Sequence, residues 1–195
     1  MNREKVIEFF DSLADSWDEG MVINEEIIST ILDNAHLGKG ADVLDVACGT
    51  GVLIPFYLKR EVSSVTAIDI SPRMTDIARA KFADEEKVKV ICGDVMEFSD
   101  FHLYDAIVVY NALPHFPDDR ELIQKLSSLL KQGGYLTIAH GMSRDKINNH
   151  HSNVSIEVKK PLKAVEELAE IMSEFLKVTT IISNEDMYQV AGRKV

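Results

Sequence analysis

The run Val43-Leu44-Asp45-Val46-Ala47-Cys48-Gly49-Thr50-Gly51 limits what this chain can fold into more than any other segment. It reads as a buried strand that carries an acid, passes through small residues and turns sharply into a helix over 52–59. A Gly-x-Gly corner lets a ligand approach bare backbone that no Cβ blocks. The first N–H groups of the following helix then point at that ligand.

The corner also excludes ligands. A dinucleotide fingerprint needs a third Gly or Ala three residues after the second Gly, and Ile54 stands there. A P-loop needs Gly-Lys-Ser/Thr, which is missing. Asp45 before the corner suits a ligand with an ammonium group and repels a pyrophosphate.

The rest of the chain alternates. Apolar spacing predicts helices over 3–15 and 24–36, the second opened by Asn24 as N-cap. Strands are predicted at 42–47, 64–70, 88–92, 105–110 and 135–140. Helices are predicted at 51–60, 72–82 and 118–130, the last ended by Gly133-Gly134. Ser71-Pro72 is a cap followed by proline at the first helical position. A polar stretch over 141–155, a helix over 161–176 and a hairpin of strands 178–183 and 187–192 close the pattern. Apolar strands alternating with helices specify a doubly wound α/β sheet covered on both faces.

Composition bounds the function. A length of 195 residues suits one domain. A net charge of −11 disfavours nucleic-acid backbones and anionic membranes. No apolar run approaches the ~18 residues of a membrane span. The charged start Met1-Asn2-Arg3-Glu4-Lys5 does not read as a signal peptide. Cys48 and Cys92 fall at the ends of strands one and three, so a disulfide is not expected and a cytoplasmic setting is.

The Asp45–Gly51 motif resembles motif I of the class I S-adenosylmethionine-dependent methyltransferases, of the small-molecule type with methyltransferase domain 11/25-like sequences. The resemblance extends in element order over residues 8–195. It implies a seven-stranded, three-layer α/β/α sheet of Rossmann-like form, with strand seven antiparallel between five and six. It also implies one domain, with an N-terminal lid over 1–40, a cofactor-binding core over 41–140, a variable substrate-side segment over 141–160 and a C-terminal helix and hairpin over 161–195. The implied reaction is methyl transfer from S-adenosylmethionine to a small-molecule acceptor, with S-adenosylhomocysteine as product.

Site residues follow from the strand ends. In motif I these are Asp45, Ala47, Cys48, Gly49, Thr50 and Gly51. Asp69 matches the motif II acid that accepts from ribose hydroxyls, with Ile70 and Met74 beside the adenine; an acid ahead of a helix cap is the alternative. Gly93-Asp94-Val95 matches motif III, where Asp94 accepts from the adenine amino group or serves as an N-cap. Tyr110-Asn111 ends strand four toward the sulfonium, unless Tyr110 is only core. Trp17, and Phe10 with it, resembles the aromatic part of a lid, with helical packing as the alternative.

His115 is the candidate base, with a cofactor or structural contact as the competing role. His140 ends strand five, and Arg144, His150 and His151 follow it. His140 and Arg144 are candidate contacts for a substrate carboxylate or phosphate; a solvated loop is the plain alternative. No ligand spacing supports a metal. The Asn/Asp-Pro-Pro-aromatic signature of nucleic-acid methyltransferases is replaced by Asn111-Ala112-Leu113-Pro114. Two rivals stay open here: a nicotinamide-dependent oxidoreductase, and a non-catalytic protein that keeps a cofactor pocket. The acceptor is not legible, and monomer and homodimer are both open.

Overall fold

A computed structural model describes residues 1–100, 102–150 and 157–195. Seven strands form one sheet in the order β3-β2-β1-β4-β5-β7-β6. They are β1 (Asp42–Val46), β2 (Ser64–Asp69), β3 (Val88–Cys92), β4 (Tyr104–Tyr110), β5 (Leu130–His140), β6 (Lys177–Ser183) and β7 (Tyr188–Arg193). The pairs among β1 to β5 are parallel, and β7 runs antiparallel between β5 and β6. This is the doubly wound sheet that the sequence predicts.

The helices are α1 (Arg3–Leu13), α2 (Glu25–Asn34), α3 (Ile54–Lys59), α4 (Pro72–Lys81), α5 (Asp119–Ser128), α6 (Arg144–His150) and α7 (Val165–Ser173). Their starts are written in the sequence. Asn2, Asn24, Ser71 and Asp118 each accept the backbone N–H three residues on. One apolar cluster joins α5 and α7 to the sheet through Ile107, Leu122, Leu126, Leu136 and Leu168. Another joins α2 and α3 to the opposite face through Leu32, Val43, Ile54, Tyr57 and Val108.

Three boundaries differ from the sequence expectation. The helix expected over 118–130 ends at Ser128, and β5 begins at Leu130. Gly133 and Gly134 lie inside the strand. A Cβ on Gly134 would stand 3.0 Å from the Asp105, Lys131 and Tyr104 carbonyl oxygens, so its bareness serves strand approach. The helix expected from 161 starts at Val165. Before it, Leu162 is held extended by Asn148, whose Oδ1 accepts the Leu162 N–H at 2.8 Å. The polar stretch contains α6, opened by Ser143 Oγ accepting from Lys146 N at 3.3 Å.

The strand order reverses beside β1. β2 and β3 lie on one side of it and β4 on the other, so a crevice opens at the carboxyl ends of β1 and β4. Ala47, just past β1, has φ 56°, and Asn111, just past β4, has φ 55°. Two non-glycine residues in the left-handed region thus flank the switch point, where backbone strain commonly marks function.

Candidate functional site

The Gly-rich corner is built around Asp69. Its Oδ2 accepts the Gly49 N–H at 2.8 Å, and its Oδ1 accepts the Ser71 N–H at 2.9 Å. The tip of β2 therefore fixes both the corner after β1 and the start of α4. The Gly93 N–H adds β3 by donating to the Asp69 carbonyl at 2.8 Å. Burial raises the Asp69 carboxyl above its ordinary range, opposed by these amide donors. Gly51 has φ +87°, and a Cβ there would stand 2.6 Å from Phe82 Cε2 and 2.9 Å from Ile54 Cδ1. The corner thus needs glycine for conformation and for space.

Asp45 is fully enclosed, and its Oδ2 has no hydrogen-bond partner. Desolvation pushes its carboxyl up to about 8; Asp69 adds to the rise, and the neighbouring Tyr57 phenol opposes it. The Tyr57 hydroxyl is itself unpartnered, so the two groups lie close without hydrogen-bond geometry. Burial also raises the Cys48 thiol well above its ordinary value, which marks it as a packed thiol and not a nucleophile.

Asp94 follows β3. Its Oδ1 accepts the Met96 N–H at 2.9 Å, and its Oδ2 lies 3.5 Å from Arg3 Nε. Val95 and Met74 are buried, and Ile70 is half-buried. Tyr110 is half-buried, with its hydroxyl 2.3 Å from the point where a Gly141 Cβ would stand. Asn111 ties β4 to the chain after β5: its N–H donates to Ala139 at 2.9 Å and its Oδ1 accepts from Gly141 N at 3.0 Å.

The N-terminal segment lies across this end of the sheet. Phe10 meets Trp17 edge-on at 5.7 Å and His115 edge-on at 4.9 Å. Trp17 Nε1 is 3.9 Å from the position of a Cβ on Gly49. Thr50 Oγ1 donates to Asp18 Oδ1 at 2.6 Å. Burial pushes the Asp18 carboxyl up, but Lys81 and Thr50 outweigh it and hold it below its ordinary value.

His115 sits in the turn Leu113–His115 after β4. Its Nδ1 is 3.0 Å from the Val158 carbonyl. A carbonyl only accepts, so Nδ1 carries the proton and the lone pair of the neutral ring is on Nε2. The segment 157–163 is strapped down here. Lys160 N donates to the Pro114 carbonyl at 2.8 Å, and buried Asp119 pairs with Lys160 and Lys163.

The structure thus brings together Asp45, Ala47, Cys48, Gly49, Thr50, Gly51, Asp69, Ile70, Asp94, Trp17 and His115 around the carboxyl ends of β1, β2, β3 and β4. His140 is buried at the end of β5, edge-on to Tyr188 at 5.9 Å. Arg144 donates to the Leu162 carbonyl at 2.9 Å from the half-buried start of α6. The His150 side chain and all of His151 lie outside the described residues. Among those described, no three His, Cys, Asp or Glu side chains converge to hold a metal. No described helix is long and apolar enough to cross a membrane. Sequence reasoning missed Asp11, Asp18, Tyr57 and the 157–163 strap. The aspartates left one signal, a spacing of four and three residues along α1 and the turn after it.

The residues present fit a positively charged cofactor. Asp45, Asp69 and Asp11 share the corner, and their mutual repulsion is part of what raises the buried pair. The corner offers a cationic group an unpartnered buried carboxyl oxygen, and offers a pyrophosphate only like charge.

Residues 43–134 match the family model of a methyltransferase domain. The chain is 32% identical over 133 residues to malonyl-[acyl-carrier protein] O-methyltransferase of Acetivibrio thermocellus, covering 67% of this chain and 47% of that protein. It is 31% identical over 143 residues to demethylmenaquinone methyltransferase of Staphylococcus aureus, covering 68% and 58%. The chain therefore spans about half the length of the curated relatives it matches. In fold it is similar to the N-methyltransferase NodS of Bradyrhizobium japonicum, solved with S-adenosylhomocysteine, at TM-score 0.76 and 19% identity over 100% of this chain and 99% of that one. It is also similar to the cyclase SpnF, at TM-score 0.73 and 18% identity over 92% and 75%. By the matched family model, the sheet order and the glycine corner on which they converge, residues 43–134 of this chain are a methyltransferase domain, and the fold around them is that of the class I methyltransferases.

Proposed function

We propose that the protein transfers a methyl group from S-adenosylmethionine to a small-molecule acceptor, releasing S-adenosylhomocysteine. One observation carries this reading: the glycine corner is surrounded by carboxyls, and one of them, Asp45, keeps an unpartnered buried oxygen. The fold alone does not decide the chemistry, since a cyclase shares it.

Bound S-adenosylmethionine supplies an electrophilic methyl carbon on a sulfonium sulfur. The chain's own task is to bind, orient and exclude water. Asp69 has a second lone pair on each oxygen beyond the two amides it already holds, enough for the two ribose hydroxyls. Asp94 accepts from the adenine amino group, and the Val95 N–H donates to the ring. Asp45 meets the ammonium end. Phe10 and Trp17 cover the cleft from the N-terminal side.

His115 takes the acceptor's proton at Nε2 when the nucleophile is a hydroxyl or an amine, and Val158 holds the ring in that tautomer. We assign His140, at the buried end of β5, and Arg144, at the start of α6, to recognition of an anionic group on the substrate.

Calorimetric titration with S-adenosylmethionine and, separately, S-adenosylhomocysteine tests the cofactor. Micromolar binding lost in Asp69→Ala supports it. Absence of binding in folded, ligand-free protein overturns it. A screen of thiol, amine, phenol and carboxylate acceptors with methyl-labelled cofactor then tests transfer; binding without transfer to any of them counts for a non-catalytic role.

A further inference from the structure

Asp11, Asp15 and Asp18 are spaced by four and three residues and share one side of the N-terminal segment. Each faces α4 or the glycine corner. Asp11 accepts from Ser71 Oγ and from the Arg73 N–H, the latter at 3.2 Å, so it caps α4 from another part of the chain. Asp15 pairs with the Arg73 guanidinium at 2.6 Å. Asp18 pairs with Lys81 and accepts from Thr50. Lys81 also donates to the Thr50 carbonyl at 3.2 Å. The segment held this way carries Phe10 and Trp17 over Gly49.

We infer that these three aspartates are an electrostatic latch that closes the N-terminal segment on the cofactor cleft and sets how fast cofactor and product exchange. This rests on the methyltransferase reading for the identity of what is exchanged, not for the latch itself. The segment itself is only shallowly packed. Of its residues from 10 to 18, only Ala14 is fully buried. The aspartate pairs are half-exposed, with side-chain accessibility of 53% and 78% for Arg73 and Asp15 and 37% and 45% for Lys81 and Asp18. Contacts of that kind weaken as salt rises. A latch of surface ion pairs opens readily and closes again, which suits a cleft that must release product at each turnover.

The single tryptophan reports on the latch directly. Acrylamide quenching of Trp17 in ligand-free protein is measured from about 0.01 to about 1 M NaCl, over which the screening length falls from ~30 Å to ~3 Å. S-adenosylhomocysteine release is followed by stopped flow over the same range. The wild-type protein is expected to become more quenchable and to release product about tenfold faster as salt rises. The variant Asp11→Asn/Asp15→Asn/Asp18→Asn keeps side-chain size and capping ability. It is expected to be fast at low salt and to change by less than about twofold. Arg120→Gln, which breaks a pair between α5 and the end of α7, should keep the wild-type profile. Salt-independent quenching in wild type, or a wild-type salt profile in the triple variant, overturns the latch. Absence of S-adenosylhomocysteine binding overturns the methyltransferase reading instead, and Trp17 quenching still decides the latch.

Discussion

The Asp69 carboxylate accepts the Gly49 N–H at 2.8 Å, joining two strand tips at the point where the sheet reverses its order. One side chain therefore shapes the glycine corner, and on the proposed function its remaining lone pairs serve the ligand. Asp69→Asn keeps the size but replaces one acceptor oxygen with a donor that faces an N–H. Calorimetry is expected to show affinity for S-adenosylhomocysteine lowered at least about 100-fold, with thermal stability reduced by about 1–3 kcal/mol. Unchanged affinity would remove Asp69 from the site.

On the proposed function, Asp45 is expected to make cofactor binding pH-dependent. With its carboxyl raised to about 8, the ligand-free protein holds a proton there at neutral pH. A cationic ligand favours the carboxylate, so binding releases that proton and affinity rises between about pH 6 and 8. Calorimetry in buffers of different ionisation enthalpy should show the release, and Asp45→Asn should abolish it. Stability runs the other way. The folded pKa lies above the unfolded one, so the protonated carboxyl stabilises the fold fully below the unfolded pKa of ~3.9, and that contribution is lost as pH rises toward about 8. Ligand-free Asp45→Asn is therefore expected to gain on the wild type as pH rises from 5 to 8, by up to about 1.4 kcal/mol per pH unit.

His115 offers a test that separates proton transfer from positioning. If Nε2 removes a proton, His115→Ala lowers kcat by about 100-fold with a hydroxyl or amine acceptor, and the acid limb of the pH–rate profile disappears. Cofactor affinity stays within a few-fold. A rise in KM with the limb intact would assign His115 to packing between Phe10 and Val158.

Gly51→Ala combines a left-handed φ with a Cβ 2.6 Å from Phe82, and should cost about 2–4 kcal/mol in chemical unfolding. Gly93→Ala is its control. No atom lies within 4 Å of the Cβ it would add, so stability should change by less than about 1 kcal/mol.

The elements easiest to read in the sequence are those whose ends are decided locally. Asn24 and Ser71-Pro72 open helices through their own side chains and ring, and the structure starts α2 and α4 where they indicate. Gly133-Gly134 misleads for the opposite reason. Glycine before a strand looks like a helix stop, but at Gly134 it answers to carbonyls of Asp105 and Tyr104, which lie far off in the chain. The start of α7 is displaced by Asn148 and Arg144 holding Leu162, again a distant constraint. The corner acids were legible because motif spacing is local. The Asp11–Ser71 and Asp18–Thr50 contacts were not, because only the folded chain brings those segments together.

The place of β7 in the sheet has a consequence for how the chain acquires its fold. β6 is synthesised first, yet β7 lies between it and β5. As the chain emerges from a ribosome, the outer edge of β5 stays unpaired while β6 is already exposed, and neither can complete the other. A hairpin must form and insert with its later strand leading, a long-range step of the kind that slows folding. Until Tyr188–Arg193 is available, β5 offers its backbone to any extended chain nearby. The nascent protein is thus most exposed to misassociation just before its sheet closes.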